Sequence, residues 1–229
     1  MFTICFREFK DLFKSIRSII IILTIFGVTL GVAKLISQFG GPVKSLGLGS
    51  NAYAGGLLTL LLIAGPLFVT SLSHNIINQE LHSRTIRFLA TKTSRDKIVL
   101  GKFLGIILFW VICLFIALLL VIPFSKAFYF LEFIQAVIFI SYFVGLTILI
   151  STLITKPSIT MFLGIAIALA MPVLGIWSMV SENIFLKITS HITPYFYYTQ
   201  ETTSYTYLVV LFPLIFLALS LLIMRKKEL

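Results

Sequence analysis

The long apolar tracts of this chain hold no Asp or Glu in their cores. Carriers driven by protons or sodium use buried carboxylates to hold the coupling ion. Their absence argues against an ion-coupled carrier, although backbone carbonyls serve sodium in some transporters. There is no P-loop pattern, so the chain has no ATP site of the usual kind. No His, Cys and Asp cluster has metal-ligand spacing. No acid–base or nucleophile constellation falls at membrane depth. The sequence therefore predicts no catalytic, cofactor-binding or metal-binding residues, and intramembrane proteolysis is unsupported. Only two cysteines occur, Cys5 and Cys113. They fall in different regions of the chain, so no disulfide framework is implied. Charge is also scarce. Charged residues make up 11% of the chain, against about 25% in a soluble domain. No soluble domain remains to carry a nucleic-acid surface, and no nucleic-acid partner is expected.

Apolar residues take up the space that charge leaves, with a mean hydropathy of +1.09. No Asp, Glu, Lys or Arg lies between Lys44 and Glu80, Lys102 and Lys126, Glu132 and Lys156, Lys156 and Glu182, or Glu201 and Arg225. Each gap can supply the roughly 20 residues that cross a bilayer as a helix. A shorter tract runs from Ser18 to Ala33, and Lys34 can snorkel from its end. These tracts predict an all-α membrane protein with six spans, at 18–36, 55–76, 103–123, 133–154, 158–180 and 205–224, in one domain covering 1–229. Gly31 and Ala33 also resemble a signal-peptide cleavage site. Cleavage there would leave an odd number of spans.

Charge placement orients the spans. With the N-terminus inside, the inner face holds Arg7, Lys10, Lys14, Arg17, Arg84, Arg87, Lys92, Arg95, Lys97, Lys102, Lys156, Arg225, Lys226 and Lys227. The outer face holds only Lys34, Lys44, Lys126 and Lys187. Positive charge is retained on the cytoplasmic side, so both termini are expected there. The net charge of +10 is mostly a topology signal.

The first 17 residues predict an interfacial helix. Phe2, Cys5, Phe6, Phe9, Leu12, Phe13 and Ile16 share one side at helical spacing, and Arg7, Glu8, Lys10, Asp11, Lys14 and Arg17 share the other. Such a helix lies flat in the inner headgroup layer. Pro157 makes spans four and five a tight hairpin. Segment 181–204 carries Pro194, Tyr195, Phe196, Tyr197 and Tyr198, an aromatic cluster of the kind found at membrane interfaces. It is expected to dip into the outer leaflet as a re-entrant segment. Gly27 with Gly31, and Gly101 with Gly105, form small-xxx-small pairs that allow close helix approach. His74, near the inner end of span two, reads as a structural or interfacial histidine.

The cytoplasmic loop 77–102 holds six of the basic residues. Leu81, Thr85, Phe88 and Leu89 recur at helical spacing, flanked by Ile86, with Arg84 and Arg87 on the other side. A helix this short is not stable alone. Its apolar face needs a partner or lipid. Ser94 is a fair N-cap for the helix entering span three, with Asp96 in its first turn. The segment resembles the coupling region of ABC-2 type transporter permeases. That family shows a Glu, then Gly-Thr, two or three Leu-like residues, a Pro, Ser-Arg, and Ile-x-x-Gly-Lys into the third span. Glu80, Thr85, Phe88, Leu89, Ser94, Arg95, Ile98, Gly101 and Lys102 match. Arg84 stands where Gly is usual and Lys92 where Pro is usual.

The resemblance implies a permease working as a dimer, with an identical or paralogous second permease and separate P-loop ATPase subunits that bind ATP and Mg. It implies that Glu80, Arg84, Thr85, Ile86, Arg87, Phe88, Leu89, Ser94 and Arg95 form the ATPase-docking coupling helix and its flanks. Thr85, Ile86, Phe88 and Leu89 would fill a groove on the ATPase. Arg84 and Arg87 would meet acids at its rim. Export of a hydrophobic or amphipathic substrate from a bacterial cell, such as a peptide, toxin, antibiotic or lipid, is the function implied. The alternative is a non-transporting membrane scaffold or immunity protein, which keeps six spans without an ATPase.

Overall fold

A computed structural model describes residues 1–38, 52–83, 93–181, 183–200 and 204–227. All regular structure among them is helical. Helix α1 (Phe2–Lys14) is followed after one extended residue, Ser15, by α2 (Ile16–Gln38). Then come α3 (Ala52–Ser73) and the short α4 (Asn78–His82). Helix α5 (Arg95–Leu119) leads through a turn to α6 (Ile122–Ser125). Helices α7 (Phe130–Leu153) and α8 (Pro157–Val180) form the hairpin expected at Pro157, which occupies the first helical position of α8. That position needs no amide hydrogen, so proline fits. The short α9 (Ile184–Ser190), α10 (Pro194–Tyr198) and α11 (Ser204–Leu208) precede α12 (Leu211–Lys226).

Among the described residues, six helical stretches are long and apolar enough to cross a membrane: Ile16–Gln38, Tyr53–His82, Arg95–Ser125, Phe130–Leu153, Pro157–Ser178 and Tyr205–Lys226. The third begins at Arg95, directly after Ser94, the residue read as the N-cap of the helix entering span three. The end of the basic loop is thus the first two turns of a long helix.

The core centres on α7, which packs against α12, α3 and α5. Its Phe139, Tyr142 and Phe143 are almost fully buried, and Phe212 and Phe216 of α12 stack edgewise on Tyr142. Helices α2 and α8 lie at the edge and expose much apolar surface, including Leu23, Phe162 and Trp177. Apolar side chains facing outward are what a lipid-facing helix requires.

Proline shapes α3 from within. Pro66 cannot donate to Leu62, the residue four positions earlier. The Tyr195 hydroxyl of α10 donates to that Leu62 carbonyl at 2.7 Å. Tyr142 donates to the Ile192 carbonyl at 2.8 Å, and Tyr198 donates to that of Gln135. Burial pushes the Tyr195 and Tyr198 phenols well above their ordinary range, so both stay protonated donors. Segment 183–200 is thereby tied to α3 and α7 at the end of the bundle opposite α1.

Candidate functional site

Helix α1, α4, the start of α5, the end of α7, the start of α8 and the end of α12 meet at one end of the bundle. The basic loop joins the structure there. Arg84, Thr85, Ile86, Arg87, Phe88 and Leu89 lie outside the described residues. Glu80, Ser94 and Arg95 are described, and they stand at the two roots of that loop.

Glu80 belongs to an ion-pair cluster. The Lys102 ammonium lies 2.7 Å from Glu8 Oε1 and 2.9 Å from Glu80 Oε1. Arg7 Nη2 lies 3.3 Å from each of the same two oxygens. Two cations and two carboxylates therefore balance. The Lys102 side chain is only 2% exposed. An isolated buried ammonium would be costly, and the paired carboxylates offset that cost. The cluster joins three elements: α1 through Arg7 and Glu8, α4 through Glu80, and α5 through Lys102.

Close backbone approach makes the junction possible. A Cβ on Gly105 would fall 2.7 Å from the Cys5 carbonyl oxygen and 2.9 Å from Glu8 Cβ. A Cβ on Gly101 would crowd Ile4 and the Met1 carbonyl at 3.0 and 3.1 Å. The glycine pair at the start of α5 is thus the bed on which α1 lies. The other pair, Gly27 and Gly31, meets no atom within 4 Å.

A second tie fixes α4. The backbone amides of Ile77 and Asn78 both donate to Ser151 Oγ at 3.1 Å. Ser151, near the end of α7, thereby caps the N-terminus of a helix far away in sequence. Asn78 is fully buried, and its Nδ2 donates to Thr160 Oγ1 of α8 at 2.6 Å. The root of the loop is locked to the α7–α8 hairpin.

A third tie holds the other root. Ser94 stands at the N-cap of α5 with extended backbone, but its side chain makes no capping hydrogen bond. Arg95 instead reaches across to α12. Its Nη1 donates to the carbonyls of Met224, Arg225 and Lys227, at 2.6 Å for Lys227. A cation on the last carbonyls of a helix is favourable for its dipole. Asp96, expected to act in the first turn of α5, also pairs with Arg225, whose Nε lies 3.0 Å from Oδ1. Lys227 donates to the Thr152 carbonyl at 2.6 Å, and burial pulls its ammonium below the ordinary lysine range.

Between α1 and α3–α4 lies an open polar cleft of about 920 Å³, lined in part by Arg7, Asp11, Arg17, Asn75, Gln79 and Glu80. No group of three or more His, Cys, Asp or Glu side chains among the described residues could hold a metal. Sequence reasoning missed Arg7 and Glu8 as partners and treated Lys102 only as a motif position. Two signals were available: the Gly101 and Gly105 pair, and a lysine at the entrance of a long uncharged tract.

Six apolar helical stretches, one of them the core helix α7, with a polar junction at the roots of a basic loop, are the layout of a multi-pass membrane protein. The chain belongs to the ABC-2 family: the family model described as ABC-2 family transporter protein matches residues 3–229. No curated protein matches it. Membership makes the chain a permease, the transmembrane and non-catalytic part of an ABC transporter, and implies an ABC ATPase partner.

Proposed function

We propose that this permease moves a hydrophobic or amphipathic substrate out of a bacterial cell, driven by a separate P-loop ATPase docked on the coupling segment of loop 77–102. Both termini and the basic loop face the cytoplasm, in accord with the positive charge gathered there. Helix α1 lies in the inner headgroup layer, and segment 181–204 re-enters the outer leaflet. ATP and Mg stay on the ATPase. A second permease, identical or paralogous, completes the path, and membrane lipid surrounds it.

One observation carries this reading: both roots of the loop are bonded to membrane helices. Glu80 is held by Lys102 and α1, Asn78 by α7 and α8, and Arg95 and Asp96 by α12. A displacement of the coupling segment therefore reaches four spans through short polar contacts.

The test is co-expression with genomic neighbours, purification through this chain, and an ATPase assay. Wild type should retain an active ATPase, and Leu89→Asp should lose it by placing a charge on the docking face. Retention of full ATPase activity by Leu89→Asp would refute the docking assignment. A wild-type chain that purifies without any ATPase would refute the energised-permease reading.

A further inference from the structure

Where α2, α3 and α8 meet, a groove of about 510 Å³ opens at the side of the bundle. Most of its wall is apolar, with Ile20 from α2, Phe68 from α3 and Met161 from α8. One end is different. Arg17, Ser71 and His74 line it, and no Asp or Glu does. Among the described residues Arg17 makes no ion pair, in contrast to Arg7, Lys102 and Arg225 on the same end of the molecule. His74 is 6% exposed. Its Nδ1 lies 3.1 Å from the Thr70 carbonyl oxygen, so that nitrogen carries the proton and donates. Nε2 remains for the groove.

The surroundings of this end matter as much as its residues. Arg17 and Ser71 also line the polar cleft beside α1, so the groove's charged end borders water while its walls stay apolar. Ile20 and Met161 are exposed outward, so the groove is open along the side of the helices. A cation and a buried histidine at a wet end, above an oily trough open to the side, match one chemistry: a phosphate headgroup with an acyl chain. The basic end of the bundle also lies in the leaflet where anionic lipids attract positive charge.

We propose that this groove binds an anionic phospholipid of the inner leaflet. The phosphate sits on the Arg17 guanidinium and the Ser71 hydroxyl. His74 Nε2 accepts a hydrogen bond from a headgroup hydroxyl, and one acyl chain runs along Ile20, Phe68 and Met161. The site stands whether or not an ATPase energises the chain.

The experiment is native mass spectrometry of the full chain, with any co-purifying partners, after exchange with detergent-solubilised phosphatidylglycerol and phosphatidylcholine. Wild type is expected to retain phosphatidylglycerol about tenfold over phosphatidylcholine, the ratio expected of one charge-assisted contact. Arg17→Gln should cut phosphatidylglycerol retention about fivefold and leave phosphatidylcholine unchanged. His74→Asn keeps a donor near the Thr70 carbonyl and removes Nε2, so it too should lower only the anionic lipid. Should either variant misfold, Met161→Trp, which fills the trough, should reduce both lipids together. Equal retention of the two lipids by wild type would overturn the proposal, as would full phosphatidylglycerol retention by folded Arg17→Gln or Met161→Trp. Displacement of the lipid by millimolar inorganic phosphate would mean a free-anion site without a chain subsite. A disulfide between two copies of the Met161→Cys variant in membranes would put a second permease in the groove. Either of those results also overturns it.

Discussion

Replacing Lys102 with Met should loosen the whole base of the permease. Met keeps most of the apolar stem and removes only the ammonium that joins Glu8 to Glu80. Removing one member of a buried ion pair costs roughly 3–5 kcal/mol. This cluster is less sealed than that. The Glu8 and Glu80 side chains are 13% and 18% exposed, and Arg7 remains 3.3 Å from both. About half the full penalty, roughly 2 kcal/mol, is therefore the expected cost. In a chain of this length that corresponds to a fall in Tm of about 4–8 °C. The assay is thermal unfolding of the purified chain in detergent. A cycle with Glu80→Gln separates pairing from packing. If the two side chains act as a pair, the double variant should be more stable than the sum of the singles by about 1–3 kcal/mol. An unchanged Tm for Lys102→Met, or strictly additive effects in the cycle, would refute the junction.

Two further perturbations probe other ties. Tyr195→Phe removes the hydroxyl that serves the carbonyl freed by Pro66, and should cost about 1–2 kcal/mol in thermal unfolding. The same change made on a Pro66→Ala background should cost less, because that substitution restores the helical N–H donor to the Leu62 carbonyl; an equal cost on both backgrounds would contradict this account. Gly105→Val places a side chain where the Cys5 carbonyl lies, so α1 should lift from α5 and Cys5 should react faster with a maleimide than in wild type. Unchanged labelling of Cys5 would show that the glycine bed does not hold α1.

Much of the architecture is legible in the sequence because span formation depends on local composition. A tract of roughly 20 apolar residues has no alternative in lipid but to be a helix. The helix over Phe2–Lys14 and the hairpin at Pro157 follow from periodicity and one backbone constraint in the same way. Span ends are less legible. The start of the third helix at Arg95 agrees with the N-cap read at Ser94, but the partners that Arg95 and Asp96 find on α12 lie at the other end of the sequence, and hydropathy carries no trace of a partner so distant.

The same reasoning separates what the loop motif reveals from what it hides. Leu81, Thr85, Phe88 and Leu89 carry the periodic pattern that suggests docking. The ties that would make docking consequential join residues far apart in the chain: Glu8 to Lys102, Asn78 to Thr160, and Arg95 to Lys227. Each member looks ordinary alone. Glu8 reads as one more polar residue on an amphipathic helix, and Asn78 as a loop residue after a span. What distinguishes them is burial, and burial is a property of the assembled bundle. A polar side chain withdrawn from water must find its partner or destabilise the fold. The pairing of Glu8 with Lys102 is thus a consequence of packing α1 so closely on α5, and the glycine pair at 101 and 105 is the sequence feature that permits that packing. The small-xxx-small motif, weak as evidence of helix pairing in general, is here the best local marker of the junction on which the basic loop stands.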